Sequence, residues 1–192
     1  MQHVSFSALK NWNQCPYYYK ITYVDKIKKF VGNHYTAFGT AVHEVCEKRI
    51  EDDSITNEPE LFELAFLKEL IDLVVKTPDG KYHIIDWKTC SWGWNMQRKS
   101  DPMTTYQLTY YKHYYSRKHN VPMEDIETHF GLLKRTAKKD QVEIFRVTSG
   151  PKKVDNAMKL LNRALYNIQS GKYIKNKLSC SKCEFKNTPE CP

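Results

Sequence analysis

The sequence has no run of about 18 apolar residues, so no helical membrane span is expected. Its opening, MQHVSFSALK, lacks the charged-then-apolar layout of a secretory leader. No internal repeat and no low-complexity tract is visible, which sets aside repeat architectures and compositionally biased tails. Without a leader, the six cysteines argue against a disulfide scaffold and for metal ligands or plain thiols. Acidic charge is the minority sign: 22 Asp and Glu stand against 30 Lys and Arg, a net charge of +8. That balance favours an anionic partner, most commonly nucleic acid, but suits a merely basic protein equally well.

What is present is enough for a real core. The chain has 192 residues, 41% hydrophobic and 27% charged, the size and composition of one globular domain spanning 1–192. Thirteen tyrosines and four tryptophans supply either stacking surfaces for bases or ordinary core and rim.

The most informative stretch is IDLVVKTPDGKYHIIDWKT, residues 71–89. It reads as two strands joined at Pro78-Asp79-Gly80, because proline pre-sets one turn angle and glycine accepts a positive one. The apolar and β-branched content places both strands inside a sheet rather than at its edge. Three charges interrupt it: Asp72, Asp86 and Lys88. Alternation along a strand points Asp86 and Lys88 the same way, and Asp72 can reach the same spot from the partner strand. Two carboxylates and an ammonium on a buried surface are expensive unless compensated. A divalent cation between the carboxylates compensates well, and their hard oxygens suit Mg²⁺ or Mn²⁺. A buried salt bridge to Lys88 is the plainer alternative.

Asp72…Asp86-Trp87-Lys88 resembles the D…(D/E)-X-K signature of the PD-(D/E)XK nucleases, and the form IDLV…IIDWKT is similar to their RecB-type branch. That branch also carries an upstream histidine and a downstream Q-x3-Y. Here Gly39-Thr40-Ala41-Val42-His43 matches the first, on a helix expected from about 38 to 49. Read alone, a histidine beside an apolar face is more often a core residue than a ligand. Gln107 and Tyr111, four apart on a helix expected over Met103–Lys118, match the second. The resemblance implies that the pair faces the active site and the DNA. It further implies that Asp72, Asp86, the Trp87 carbonyl and His43 hold Mg²⁺ or Mn²⁺, with Lys88 positioning the attacking water. Two departures stand out. The interval from His43 to Asp72 is short for the group, and Leu70 occupies the position where a glycine is common.

The remaining chain supplies a scaffold. Ser5 or Ser7 caps a short helix with Phe6, Leu9 and Trp12 on one face, ending near Cys15-Pro16. Residues 26–35 form a basic loop, and residues 61–70 read as a helix leading to Asp72. Trp92 and Trp94 sit in an aromatic loop that either stacks on bases or packs as a lid, and Arg98, Lys99 and Ser100 are candidate phosphate contacts. Asp101-Pro102 opens the next helix. Two further strands are expected at Ile126–Lys134 and Val142–Val147. A helix then runs over roughly 152–170, with Val154, Met158, Leu161, Leu165 and Ile168 as its core stripe. Cys46 and Cys90 read as ordinary thiols.

At the tail, Cys180-Ser181-Lys182-Cys183 places two thiolates within reach of one metal centre, and Cys191 adds a third. With Cys15 the count is four, which suits either a [4Fe-4S] cluster or Zn²⁺. RecB-type nucleases with an iron–sulfur cluster share this layout, so the resemblance implies [4Fe-4S], formed by residues 1–20 and 172–192 together. Altogether it implies an α/β fold: a central mixed β-sheet flanked by helices around a restriction-endonuclease-like core. The implied activity is a metal-dependent deoxyribonuclease, an exonuclease acting on single- or double-stranded DNA ends. The expected location is intracellular, in the cytoplasm, with a microbial or viral origin, and the expected partners are DNA, further copies of the chain or DNA-repair and recombination proteins. The other function class is a non-catalytic or partner-dependent DNA-binding subunit.

Overall fold

A computed structural model describes residues 4–27 and 71–192. The expected 38–49 helix with His43, the 61–70 helix and most of the 26–35 basic loop lie outside the described residues, as does Cys46. The chain divides into two compact units, residues 32–154 in one, residues 1–31 and 155–192 in the other.

The first unit is built on a four-stranded sheet in the order β1-β2-β3-β4. β1 (Leu73–Lys76) and β2 (Tyr82–Cys90) form the hairpin, with Thr77–Lys81 as its turn and Gly80 at φ 83°. β2 pairs parallel with β3 (Ile126–Lys134), and β3 pairs antiparallel with β4 (Val142–Val147). Parallel neighbours need a crossover connection. It is supplied by α3 (Met96–Ser100) and α4 (Pro102–His119). Asn95 caps α3 and Asp101 caps α4 through its carboxylate, which accepts the Thr104 N–H at 2.7 Å. α4 ends at Asn120 in the left-handed region (φ 53°).

Alternation gives the sheet two distinct faces. Ile84, Ile126, Phe130 and Leu132 point to one, where they are fully buried with Leu108 and Tyr115 of α4. Trp94 joins this core, its ring 5.1 Å from that of Phe130. His83, Ile85 and Trp87 point to the other face, as do Glu127, His129 and Gly131.

Both expected strands after α4 appear at their expected limits. Among the described residues β1 lies at one end of the strand order and β2 inside it. β1 is four residues long and exposes Val75, at 40%, and Lys76. Asp72 lies in a bend one residue before the ladder begins. No helix was expected over α3.

In the second unit, Ser5 caps α1 (Phe6–Gln14) by accepting the Ala8 N–H at 3.2 Å. Ala8, Leu9 and Trp12 are buried and Phe6 only partly so. Cys15 is extended and Pro16 opens α2 (Pro16–Tyr19), which runs on into a π-helical turn over Lys20–Val24. α5 (Pro151–Gln169) buries Ala157, Ala164 and Ile168 most deeply. Val154, Met158, Leu161 and Leu165 are half-buried beside them, so small side chains hold the centre of that stripe. A 3-10 turn over Lys177–Lys182 leads into the tail, where Phe185 is fully buried. Tyr18 packs edge-on against Phe185 and donates to Glu184 at 2.9 Å. Burial and that carboxylate push the Tyr18 phenol up to about 12.

Gly131 is the position where β3 tolerates no side chain. It is the register partner of Trp87, and a Cβ there would fall inside contact distance of the Trp87 ring atoms Cε3 and Cζ3. Gly131→Ala is expected to destabilise the protein by about 1–3 kcal/mol through overpacking. Thermal melts of Gly131→Ala, Trp87→Val and the double variant check this: the double should lose less than the sum of the singles.

Candidate active site

The site is assembled by β2, the bend before β1 and one face of α4. Leu73 pairs with Ile85, so Asp72, one residue earlier, stands across from Asp86. Its Oδ2 accepts the Trp87 N–H at 2.7 Å, which draws that carboxylate against β2. Asp86 is 2% exposed, deep burial for a carboxylate. Compensation comes from two sides. The Gln107 amide donates to its Oδ1 at 2.8 Å, and the Lys88 ammonium lies 2.6 Å from its Oδ2. Lys88, two residues along the strand, is 32% exposed and so opens to solvent what Asp86 keeps buried.

Gln107 also donates to the Tyr111 hydroxyl at 2.8 Å. The four-residue spacing on α4 therefore builds a chain from Tyr111 through Gln107 to Asp86. The Tyr111 phenol is raised well above its ordinary range, first by burial, then by the negative charge of Asp86, with Asp72 adding to it. It stays a neutral donor at working pH. Five of the six expected catalytic residues, Asp72, Asp86, Lys88, Gln107 and Tyr111, thus meet at one place. His43 lies outside the described residues. The link that sequence reasoning missed is the direct bond from Gln107 to Asp86. The resemblance implied only that Gln107 faces the active site; its amide bonds the carboxylate there.

The flanking cations have partners of their own. Arg98 stacks over Trp94 with 4.3 Å from guanidinium to ring, and Lys99 pairs with Glu143, which also has Lys134 at 3.7 Å. Ser100 bonds back to its own helix, at Met96 and Gln97 carbonyls. Of the two loop tryptophans, Trp94 packs in the core, whereas Trp92 is 76% exposed.

Four of the six cysteines, Cys15, Cys180, Cys183 and Cys191, belong to the second unit. Cys15, Cys180, Cys183 and Cys191 are free thiols, partly exposed, and Cys90 is buried in the sheet core. Asn176 links the first two, donating its N–H to Cys15 Sγ at 3.3 Å and lying with its carbonyl 3.7 Å from Cys180 Sγ. A bridge pairs Thr188 with Cys191. Among the described residues no three of these sulfurs come within 4.8 Å of one another.

No helix among the described residues is long and apolar enough to cross a membrane. A family model described as the PD-(D/E)XK nuclease superfamily matches residues 3–70 and 49–188. None of the curated proteins matches. A solved structure from Eubacterium rectale, provisionally described as an exonuclease, superposes with a TM-score of 0.55 at 11% identity, over 95% of this chain and 86% of that one. Likeness at that identity establishes the fold, an α/β restriction-endonuclease-like core.

Lys88→Met removes the counter-charge 2.6 Å from a buried carboxylate. It is expected to cost about 1–3 kcal/mol of stability. Urea denaturation of the two proteins, both in a chelator, measures it; an unchanged midpoint would mean that the pair is energetically idle.

Proposed function

The chain belongs to the PD-(D/E)XK nuclease superfamily, and from that premise we propose that it is a Mg²⁺- or Mn²⁺-dependent deoxyribonuclease of the RecB-type branch, working as an exonuclease at DNA ends inside the cell. The observation that carries this reading is the convergence of Asp72, Asp86 and Lys88 on one patch, with Asp86 buried and oriented by Gln107.

The donor set fits the ion that the family implies. Opposed carboxylates offer hard oxygens, which suit Mg²⁺ and Mn²⁺. Asp72, Asp86 and the Trp87 carbonyl would hold it, with His43 as a further ligand. Bound there, such an ion activates water and neutralises charge on the scissile phosphate. The protein's own groups do the rest. Gln107 fixes one oxygen of Asp86, leaving the other toward Lys88 and the ligand side. Lys88, partly open to solvent, positions the attacking water and stabilises negative charge on phosphate oxygens. Tyr111, kept neutral, steadies Gln107.

We assign Cys15, Cys180, Cys183 and Cys191 to a [4Fe-4S] cluster. A single Zn²⁺ needs four sulfurs at Zn–S bonds of about 2.3 Å, a closer set than these thiols form. A cluster takes one thiolate at each of four irons, which suits wider spacing. Its job is to tie the early and late segments of the second unit.

End-labelled single- and double-stranded DNA, linear and circular, incubated with Mg²⁺ or Mn²⁺, tests the activity. Cleavage from ends of linear DNA, absent in chelator and in Asp86→Asn, is expected. Inactivity of the isolated chain, with cleavage restored by co-purifying proteins, would instead support the partner-dependent subunit. A second outcome concerns Gln107. Gln107→Glu sets a second carboxylate against Asp86 and should lower kcat more than Gln107→Leu, which only deletes the donor; equal losses would remove Gln107 from the positioning role.

A further inference from the structure

The face of the sheet opposite Asp86 carries a second group of metal-type donors. Parity along β2 puts His83, three residues before Asp86, on that other face. The parallel register then sets Glu127 beside His83 and His129 beside Ile85 on β3. His83 Nδ1 and His129 Nε2 are 3.1 Å apart, and Glu127 Oε2 lies 4.0 Å from the first and 3.8 Å from the second. All three side chains are partly buried, with 27%, 19% and 15% exposure for His83, Glu127 and His129. Among the described residues no other set of three His, Cys, Asp or Glu ligand atoms is so closely grouped.

We propose that His83, Glu127 and His129 bind a divalent transition-metal ion, Zn²⁺ foremost, at a site separate from the Asp72–Asp86 patch. Three features of the geometry support it. The point equidistant from the three ligand atoms lies about 2.1 Å from each, within the usual range of Zn–N and Zn–O bonds. Two imidazoles with one carboxylate select Zn²⁺ and its neighbours over Mg²⁺, which prefers oxygen and water. The other oxygen of Glu127 is held by Arg146 of β4 at 3.1 Å, which orients the carboxylate and turns Oε2 toward the imidazoles. An ion there would join β2 to β3 on the side away from the carboxylates. It leaves coordination positions for water on a partly open face.

A plain hydrogen bond between the two histidines uses the same 3.1 Å separation and needs no metal. The experiment separates the two. The full-length protein, in excess Mg²⁺ to fill the carboxylate patch, is titrated with Zn²⁺ and in parallel with Co²⁺. The same is done with Glu127→Gln and with His83→Gln/His129→Gln. Wild type is expected to bind one equivalent of Zn²⁺ more than the double variant and to gain thermal stability that the double variant does not. Glu127→Gln should weaken that equivalent at least tenfold. The wild-type-minus-variant Co²⁺ spectrum should show ligand-field bands without thiolate charge transfer, which excludes the cysteines as its source. Equal stoichiometry in wild type and variant, or a wild-type Co²⁺ spectrum that is wholly thiolate in character, overturns the proposal. The wild-type spectrum serves even if a variant folds poorly. Magnesium-dependent cleavage is not part of the readout, so failure here leaves the nuclease reading untouched.

Discussion

A carboxylate buried to 2% exposure has to be compensated on every side, and Asp86 is the point at which this sheet meets that demand. Each group that satisfies it is placed by a different part of the chain. Lys88 follows from the two-residue period of β2. Gln107 arrives on α4, the crossover that a parallel β2–β3 pair requires. Asp72, a second carboxylate that adds to the demand, comes from the chain entering β1 and is satisfied by the Trp87 N–H instead. Loss of the parallel pairing would therefore dislocate helix and carboxylate together. Lys88, Gln107 and Asp86 are held as precisely as the strand and helix that carry them.

The same strand works on both faces. Asp86 and Lys88 take one, while Trp87 between them turns to the other and lies across Gly131. That contact fixes β2 against β3 at the residue between the two charged ones. A bulky middle residue in this motif is thus a packing device, and the glycine opposite is its counterpart. The pair holds the lateral position of the acid without touching it.

Much of this was legible because it is local. Strand alternation put Asp86 and Lys88 on one side, turn chemistry closed the hairpin, and helical spacing paired Gln107 with Tyr111. The limits of β3 and β4 followed from short apolar runs between polar turns. What sequence could not supply was register between strands distant along the chain. Nothing in the one-dimensional pattern says that His129 lies beside His83, 46 residues earlier. Nor does it show that Trp87 covers Gly131. A histidine at the parity opposite the core residues of its strand was the available signal, and it carries weight only once the parallel pairing is known.

Donor chemistry then sorts the molecule more sharply than composition does. Opposed carboxylates on one face of β2 are hard oxygen donors; the imidazoles and carboxylate on the other are intermediate; the four partly exposed thiols of the second unit are soft. Ligand softness and spacing, rather than raw affinity, decide which ion a site keeps. Donor sets of different character favour different ions, so one strand can carry an oxygen set and an imidazole-rich set on its two faces. The sequence distance between His83 and Asp86 is three residues, an odd number, and that parity is what keeps an imidazole out of the carboxylate patch. A shift of His83 by one position along β2 would carry its imidazole onto the face that holds Asp86 and Lys88.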